Sequence, residues 1–417
     1  MARFFRSPTW HRALVVLDQG LLSGFSFVTT LVLLRGMGLD GFGIYALMTL
    51  GWLWAFGLIQ ALVTQPMQTL IGSRQGRARA RYLASCHRLG AWMSLIGAAI
   101  SIPIVHAWGQ DWLVAAGFAN FLAARSLQTQ LRSAAFVCGQ RKVAVYTDAL
   151  GQGGGFVALL LLGPKMEWDL AGVLYIQAGV WWLATIVAWW RFEGRSTRPL
   201  PARLVGRRLW RFGRWLGGMA AVRWLSSNAF TLAVAAQLGP AAVGLLRGLQ
   251  SIVGVLNLIL AALENTLPTG AAMHRKKAGD DAALAYLGRF AAWGWLPIAA
   301  LCLGIYLGAD PLLHWVLDGT VPPEARPALF AFCFLPLATL ASTLYGIAYR
   351  TLQRTDRLFL WYGLLAAFIA WVAPWIVAEY GVVGAAWGIS LQPAMLSLLL
   401  AWGLNPKNRL SARALAK

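Results

Sequence analysis

The stretch "ALVVLDQGLLSGFSFVTTLVLLR", residues 13–35, is apolar enough to cross a bilayer, yet it carries Asp18, Gln19, Ser23, Ser26 and Thr30. About 20 predominantly apolar residues in a helix suffice to span the hydrocarbon. Gln19, Ser23, Ser26 and Thr30 fall at i, i+4, i+7 and i+11, with Asp18 beside the first. In a helix these positions share one face. The stretch therefore reads as a membrane-crossing helix with a polar stripe, and polar groups at membrane depth face a cavity or a partner rather than lipid.

Working outward, the whole chain has the same character. Of its 417 residues 59% are hydrophobic and only 12% are charged, about half the charged share of a soluble domain. The mean hydropathy is +0.60. Twelve apolar runs are long enough to span: 13–35, 42–64, 83–107, 112–137, 143–163, 170–190, 215–238, 242–264, 284–308, 327–349, 358–378 and 383–403. Arg125 and Arg132 interrupt the fourth. The 22 Trp suit anchoring at the two membrane interfaces. No small-residue cleavage site follows "MARFFRSPTWHR", so the first run is expected to be retained. Cys86, Cys138, Cys302 and Cys333 lie scattered in apolar surroundings and read as buried thiols.

The net charge of +21 would suggest nucleic acid in a soluble protein. Here the basic residues occupy every second loop. Arg3, Arg6 and Arg12 precede the first run; Arg74, Arg77, Arg79 and Arg81 follow the second; Arg132, Arg141 and Lys142 follow the fourth. Eight Arg run from Arg191 to Arg214; Arg275, Lys276 and Lys277 follow the eighth run, Arg350, Arg354 and Arg357 the tenth, and Lys407, Arg409, Arg413 and Lys417 end the chain. The alternate loops carry Asp40, Asp111, Glu167, Asp169, Asp310, Asp318, Glu324 and Glu379. This is the positive-inside pattern. It predicts both termini in the cytoplasm, assigns the basic excess to topology and excludes nucleic acid as a partner.

Three segments follow: an N-terminal six-helix bundle over 1–190, a basic linker over 191–214, and a C-terminal six-helix bundle with a short basic tail over 215–417. In the linker Val205, Leu209, Phe212 and Leu216 share one helical face and Arg203, Arg207, Arg211 and Arg214 the opposite one. That is the pattern of an interfacial helix facing anionic membrane lipids. The two halves echo each other. "MGLDGFGIYAL" from Met37 aligns with "LGPAAVGLLRG" from Leu238, pairing Gly38 with Gly239 and Gly43 with Gly244. "DLAGVLY" at 169 and "GVVGAAW" at 381 pair Gly172 with Gly384. Both halves start on the same side, so the repeat is parallel, and substrate sites in such transporters lie between the halves.

On Leu17–Leu47, with its Gly38, Phe42, Gly43 and Tyr45 turn, on "YGVVGAAWG" at 380–388, and on length and span count, the chain resembles the multidrug/oligosaccharidyl-lipid/polysaccharide exporter superfamily. Within it the chain looks most like the Wzx-type polysaccharide flippases. The resemblance implies an all-α membrane fold of about twelve helices, in two bundles around a V-shaped central cavity. It also implies a bacterial inner-membrane protein that moves an undecaprenyl-diphosphate-linked oligosaccharide outward, alongside a polysaccharide polymerase or glycosyltransferases, with no cofactor.

Further polar stripes give the candidate site. Arg247, Gln250, Asn257 and Glu264 share a face of the eighth run; Arg223, Ser227 and Thr231 lie at i, i+4 and i+8 in the seventh. Arg223 and Arg247 are the candidate diphosphate ligands; Asp18, Gln19, Ser23, Ser26, Thr30, Ser227, Thr231, Gln250, Asn257 and Glu264 would line the cavity. Each has a plainer reading. Asp18 suits an ion pair or a helix-dipole partner, Arg247 can snorkel, and Glu264 and Asp148 read as solvated end charges. Pro103, Pro297, Pro336, Pro374 and Pro393 interrupt spans and kink helices. No P-loop and no HExxH appear, no metal site is expected, and "GQGGG" at 151–155 lies inside a span and reads as close packing. Two other functions fit the composition: a cation-coupled multidrug antiporter, which needs acids in its cavity, and an intramembrane glycan polymerase or transferase. The loop pattern makes a direct prediction. Single cysteines replacing Arg77 and Arg207 should be labelled only from the cytoplasm and those replacing Asp40 and Asp318 only from outside; outside labelling at position 207 would overturn the twelve-span topology.

Overall fold

The computed structural model describes residues 8–71, 76–192, 200–319 and 321–404, and gives the backbone alone at 8–23 and at 202, 212, 257, 258, 261, 262, 265, 266, 269, 355 and 356. Arg3, Arg6, Arg74 and the basic tail from Lys407 lie outside the described residues. Among these residues every regular element is helical. Hydrocarbon offers backbone groups no water, and a helix satisfies them within its own segment. The helices are α1 (Pro8–Ile59), α2 (Gln65–Ile71), α3 (Gly76–Ala107), α4 (Trp112–Val137), α5 (Arg141–Asp148), α6 (Gly154–Leu162) and α7 (Leu170–Arg191). They continue as α8 (Ala202–Leu238), α9 (Pro240–Gly254), α10 (Asn257–Leu307), α11 (Ala309–Val316), α12 (Ala325–Cys333), α13 (Leu335–Thr351) and α14 (Thr355–Leu404). Wider π turns at Gln60–Thr64 and Ala149–Gly153 join α1 to α2 and α5 to α6.

Seven helical stretches among the described residues are long and apolar enough to cross a membrane: Gly24–Ile71, Gly76–Ala107, Arg141–Leu162, Leu170–Arg191, Gly270–Leu307, Ala325–Thr351 and Arg357–Leu404. The first and last have 48 residues each, about 72 Å of helix against a hydrocarbon thickness of about 30 Å. Glycine breaks divide them at Gly38 and Gly381, and Gly279 likewise divides α10. Gly38 has φ 69° and ψ −177°; Gly239, at the aligned turn of the second half, has φ 83° and ψ −178°. The sequence repeat is thus a repeat of backbone geometry. The other aligned pair marks a second shared boundary, because Asp169 caps α7 by accepting from the Gly172 amide, while Gly381 breaks α14 three residues before Gly384.

Two compact units emerge: Gly24–Trp224, and the chain from Leu225 onward joined by the first 23 residues. In the first, α4 is the central helix and packs against α3 and α7. Gln130 donates to Ser94 Oγ (2.9 Å) and to the Gly90 carbonyl (3.2 Å), and Thr185 donates to the Ala124 carbonyl (3.1 Å). Such cross-links, with small residues at the crossings, hold helices together where lipid supplies no hydrophobic drive. The "GQGGG" stretch is a packing surface: Gly151 lies against the Trp181 ring so closely that a Cβ would clash.

The linker helix differs from its sequence reading. It runs unbroken into the seventh apolar run as α8. Val205 and Leu209 are buried with Met67, Ile71, Tyr82 and Phe192 instead of meeting acyl chains; the Phe212 side chain lies outside the described residues. A Cβ on Gly213 would sit 2.9 Å from Leu62 Cα and 3.0 Å from the Ala61 carbonyl, so α8 crosses the first π turn backbone to backbone. Just before α8, the Leu200 amide donates to Ser85 Oγ (2.7 Å).

In the second unit α13 packs against α10 and α14, and α12 against α9 and α14. Tyr349 Oη donates to the Leu400 carbonyl (3.0 Å). Arg275 spans the Gly279 break, bonding Asp280 Oδ1 (2.8 Å) and the Thr351 carbonyl (2.6 Å). The eighth run is not one helix: it turns at Val255–Leu256, where the Leu256 amide reaches only to Val253. The tenth breaks at Phe334, two residues before Pro336, which has no amide proton to continue a helix ladder. Pro103, Pro297, Pro374 and Pro393 stay inside helices.

The glycine turns carry a measurable cost. No atom lies within 4 Å of a Cβ built on Gly38, Gly239 or Gly24, but only the first two have a backbone that glycine alone adopts freely. Gly38→Ala and Gly239→Ala should each destabilise by about 1–3 kcal/mol, read as a lower melting temperature in detergent. Gly24→Ala should melt like the parent. Equal melting of all three would remove the conformational argument.

Candidate substrate site

Two arrangements of charged side chains within the helices stand out. The first is an ion pair. Asp148, expected as a solvated end charge, is instead buried at the end of α5, paired with Arg132 of α4 and accepting from Gln128 Nε2 at 2.9 Å. The correction has a simple cause. α5 passes into the π turn against α4, so Asp148 faces the bundle, and a carboxylate there needs a cation and a donor.

The second uses no carboxylate contact. Arg125 sits mid-way along α4, 13 residues from Trp112 and 12 from Val137, about 20 Å from either end at 1.5 Å per residue. Its Cζ lies 4.2 Å from the centre of the Trp52 ring, 4.8 Å from Trp181 and 5.5 Å from Phe121. Among the described residues its guanidinium has no hydrogen bond and no ion pair, and the Asp148 carboxylate acts on it only from a distance. Aromatic faces thus hold the cation while its N–H groups remain unspent. Cation–π contacts are worth about 2 kcal/mol when desolvated, and inserting Arg at a helix centre costs about 2.5–3.5 kcal/mol, so two Trp faces offset most of that cost.

Arg247 on α9 is the counterpart in the second unit. Its Nη2 donates to Asn228 Oδ1 of α8 (2.9 Å) and its Nη1 to Gln250 Oε1 (3.0 Å), while its buried Nε has no partner. Neutral amides orient the guanidinium without cancelling its charge. Nearby, Gln392 of α14 donates to Ser226 Oγ at 3.0 Å.

The sequence-derived residues fare unevenly. Arg247 and Gln250 meet as their spacing suggested, joined by Asn228, which follows Ser227 in sequence but was not singled out. Thr231 is buried, whereas Ser227 and Glu264 are exposed. Arg223 is exposed and belongs to the first unit, close to the tilted Trp54–Trp224 pair with ring centres 5.0 Å apart. Ser26 is exposed, and its carbonyl accepts the Thr30 hydroxyl at 2.9 Å, so Thr30 is satisfied within its own helix. The side chains of Asp18, Gln19, Ser23 and Asn257 lie outside the described residues. Arg125 was missed as a site, though the signal was present: an Arg in mid-span was taken as a weakness of the span. Among the described residues no cluster of His, Cys, Asp and Glu could hold a metal.

No family model and no curated relative matches the chain. Solved structures do. An inward-facing multidrug resistance MATE transporter of the MOP superfamily aligns with a TM-score of 0.69 at 14% identity, covering 94% of this chain and 95% of that one. An outward-facing form of a MATE transporter gives 0.64 at 13% identity, covering 96% and 95%. A MOP superfamily transporter from Pyrococcus furiosus, described as having a binding pocket of reverse polarity, gives 0.64 at 13% identity, covering 97% and 96%. The chain is therefore a multi-pass, all-helical protein with the fold of MATE transporters of the MOP superfamily.

Proposed function

We propose that this protein flips an anionic amphiphile, a polyprenyl-diphosphate-linked oligosaccharide, from the inner to the outer leaflet of the bacterial inner membrane. In this reading the chain makes twelve crossings with both termini in the cytoplasm. Gly38 and Gly381 divide the two longest stretches, α4, α8 and α9 with the start of α10 add three crossings, and the alternating basic loops supply the orientation. The observation that carries the substrate class is the pair Arg125 and Arg247. Arg125 in the first unit and Arg247 in the second lie within helices, held by aromatic faces or amides and without carboxylate contact among the described residues. Arg is the side chain best matched to phosphate oxygens, through paired N–H donors. Substrate diphosphate would supply the negative charge these groups lack. Arg223, exposed on α8, would guide the headgroup, and the prenyl tail would stay in lipid. An interior-negative potential favours outward movement of an anion by about 2.3 kcal/mol per charge per 100 mV. The neighbouring chemistry would be glycosyltransferases that build the lipid-linked glycan and a polymerase that consumes it.

A cation-coupled multidrug antiporter is the second reading, favoured by the fold shared with multidrug MATE transporters. It needs an available acid at membrane depth. Asp148 is committed to Arg132 and Gln128, which leaves Asp18 and Glu264 to carry that role.

Flipping of labelled lipid-linked oligosaccharide in proteoliposomes separates the two. Arg125→Ala and Arg247→Ala should each slow flipping by about 10- to 100-fold, the worth of one hydrogen bond to a charged group, with protein abundance and melting temperature checked alongside. The corresponding Lys variants should be intermediate, because charge is kept and the fork is lost. Parental flipping in both Ala variants, with proton-driven drug efflux that Asp18→Asn abolishes, would replace the flippase with the antiporter.

A further inference from the structure

A cavity lies at the Arg-rich end of the first unit, lined by none of the residues that surround Arg125. It measures about 590 Å³ and is formed by the end of α2, the start of α3, the extended residue Leu200 and the first turns of α8. Its walls are of two kinds. Leu70, Leu200 and Leu204 supply an apolar wall, and Arg207, Arg208 and Arg211 supply a basic one. None of the three guanidiniums has an ion pair or hydrogen bond to any described residue. Arginines clustered without carboxylates repel one another and attract an anion. The apolar wall adds a second requirement, since inorganic phosphate or a free sugar phosphate would gain nothing from three leucines. The surrounding surface points the same way. Leu204, Trp210 and Trp215 are 66%, 59% and 76% exposed. Large apolar side chains mixed with arginine are costly in water and stable at the headgroup level of a bilayer.

We propose that this cavity binds the phosphate of one anionic membrane phospholipid, with the guanidiniums on the phosphate and the leucines against the upper part of an acyl chain. The helix surface bearing Arg203 and Arg214 attracts anionic lipid diffusely; the cavity selects a single molecule and holds it. Its position is fixed from within the protein, because Val205 and Leu209 of α8 are buried in the core and the Leu200 amide is bonded to Ser85. The site is independent of the transported substrate.

The full-length protein in detergent, examined by native mass spectrometry with phosphatidylglycerol and phosphatidylcholine, gives the test. The parent should retain phosphatidylglycerol at least about tenfold better than phosphatidylcholine, given about 1 kcal/mol for each basic group at such a surface. R207Q/R208Q/R211Q should lose the preference; R203Q/R214Q, which removes charge outside the cavity, should keep it. Leu204→Ser retains every charge and should also weaken retention, so a folding defect of the triple variant would not leave the matter open. Equal loss in R203Q/R214Q would show diffuse attraction and overturn the site. Displacement of phosphatidylglycerol by millimolar inorganic phosphate, or full retention in Leu204→Ser, would show a solute-anion site and overturn the lipid.

Discussion

Inside a bilayer a polar group has no partner except another part of the protein, and that constraint governs this structure. Backbone amides are satisfied along helices, so a change of direction needs either exposure at an interface or a conformation that wastes little. Glycine supplies the second at Gly38 and Gly239. Side-chain amides and hydroxyls obey the same rule. Gln130 links α4 to α3, Thr185 links α7 to α4, and Tyr349 links α13 to α14. Each bond closes a polar group that would cost free energy if left open to lipid, and in closing it fixes which helices are neighbours.

Charge makes the constraint sharper. Arg132 and Asp148 are committed to each other as an ion pair. Arg125 and Arg247 are stabilised by groups of no net charge, two indole faces in one case and two side-chain amides in the other. On the proposed function, that distinction separates a structural ion pair from a residue that would meet an anion. Removing a carboxylate partner from a buried Arg is expensive. Aromatic and amide support lowers that expense while preserving the positive potential.

The helical membrane character was plain in the sequence, because membrane helices announce themselves through runs of apolar residues. The Gly38–Gly239 alignment was legible because a backbone requirement leaves a residue type behind. Breaks at Val255–Leu256 and Phe334 were less visible, since apolar composition continues across them. Arg125 was hidden for a different reason. Its supporters, Trp52 and Trp181, are 73 and 56 residues away, and no local periodicity connects them. Asp148 reads as an end charge and Arg132 as an interruption of the fourth run, because their pairing depends on α5 lying against α4. The linker stripe was read correctly as amphipathic, but periodicity cannot say whether an apolar face meets lipid or protein.

The two equivalent glycine turns lie 201 residues apart in a chain whose halves have otherwise drifted nearly beyond comparison. A turn that tolerates no β-carbon cheaply is closed to ordinary amino-acid replacement, since nearly every single-codon change from glycine adds a side chain. Such positions act as fossils of descent. They keep the correspondence between the two hairpins legible where the helices on either side show little of it.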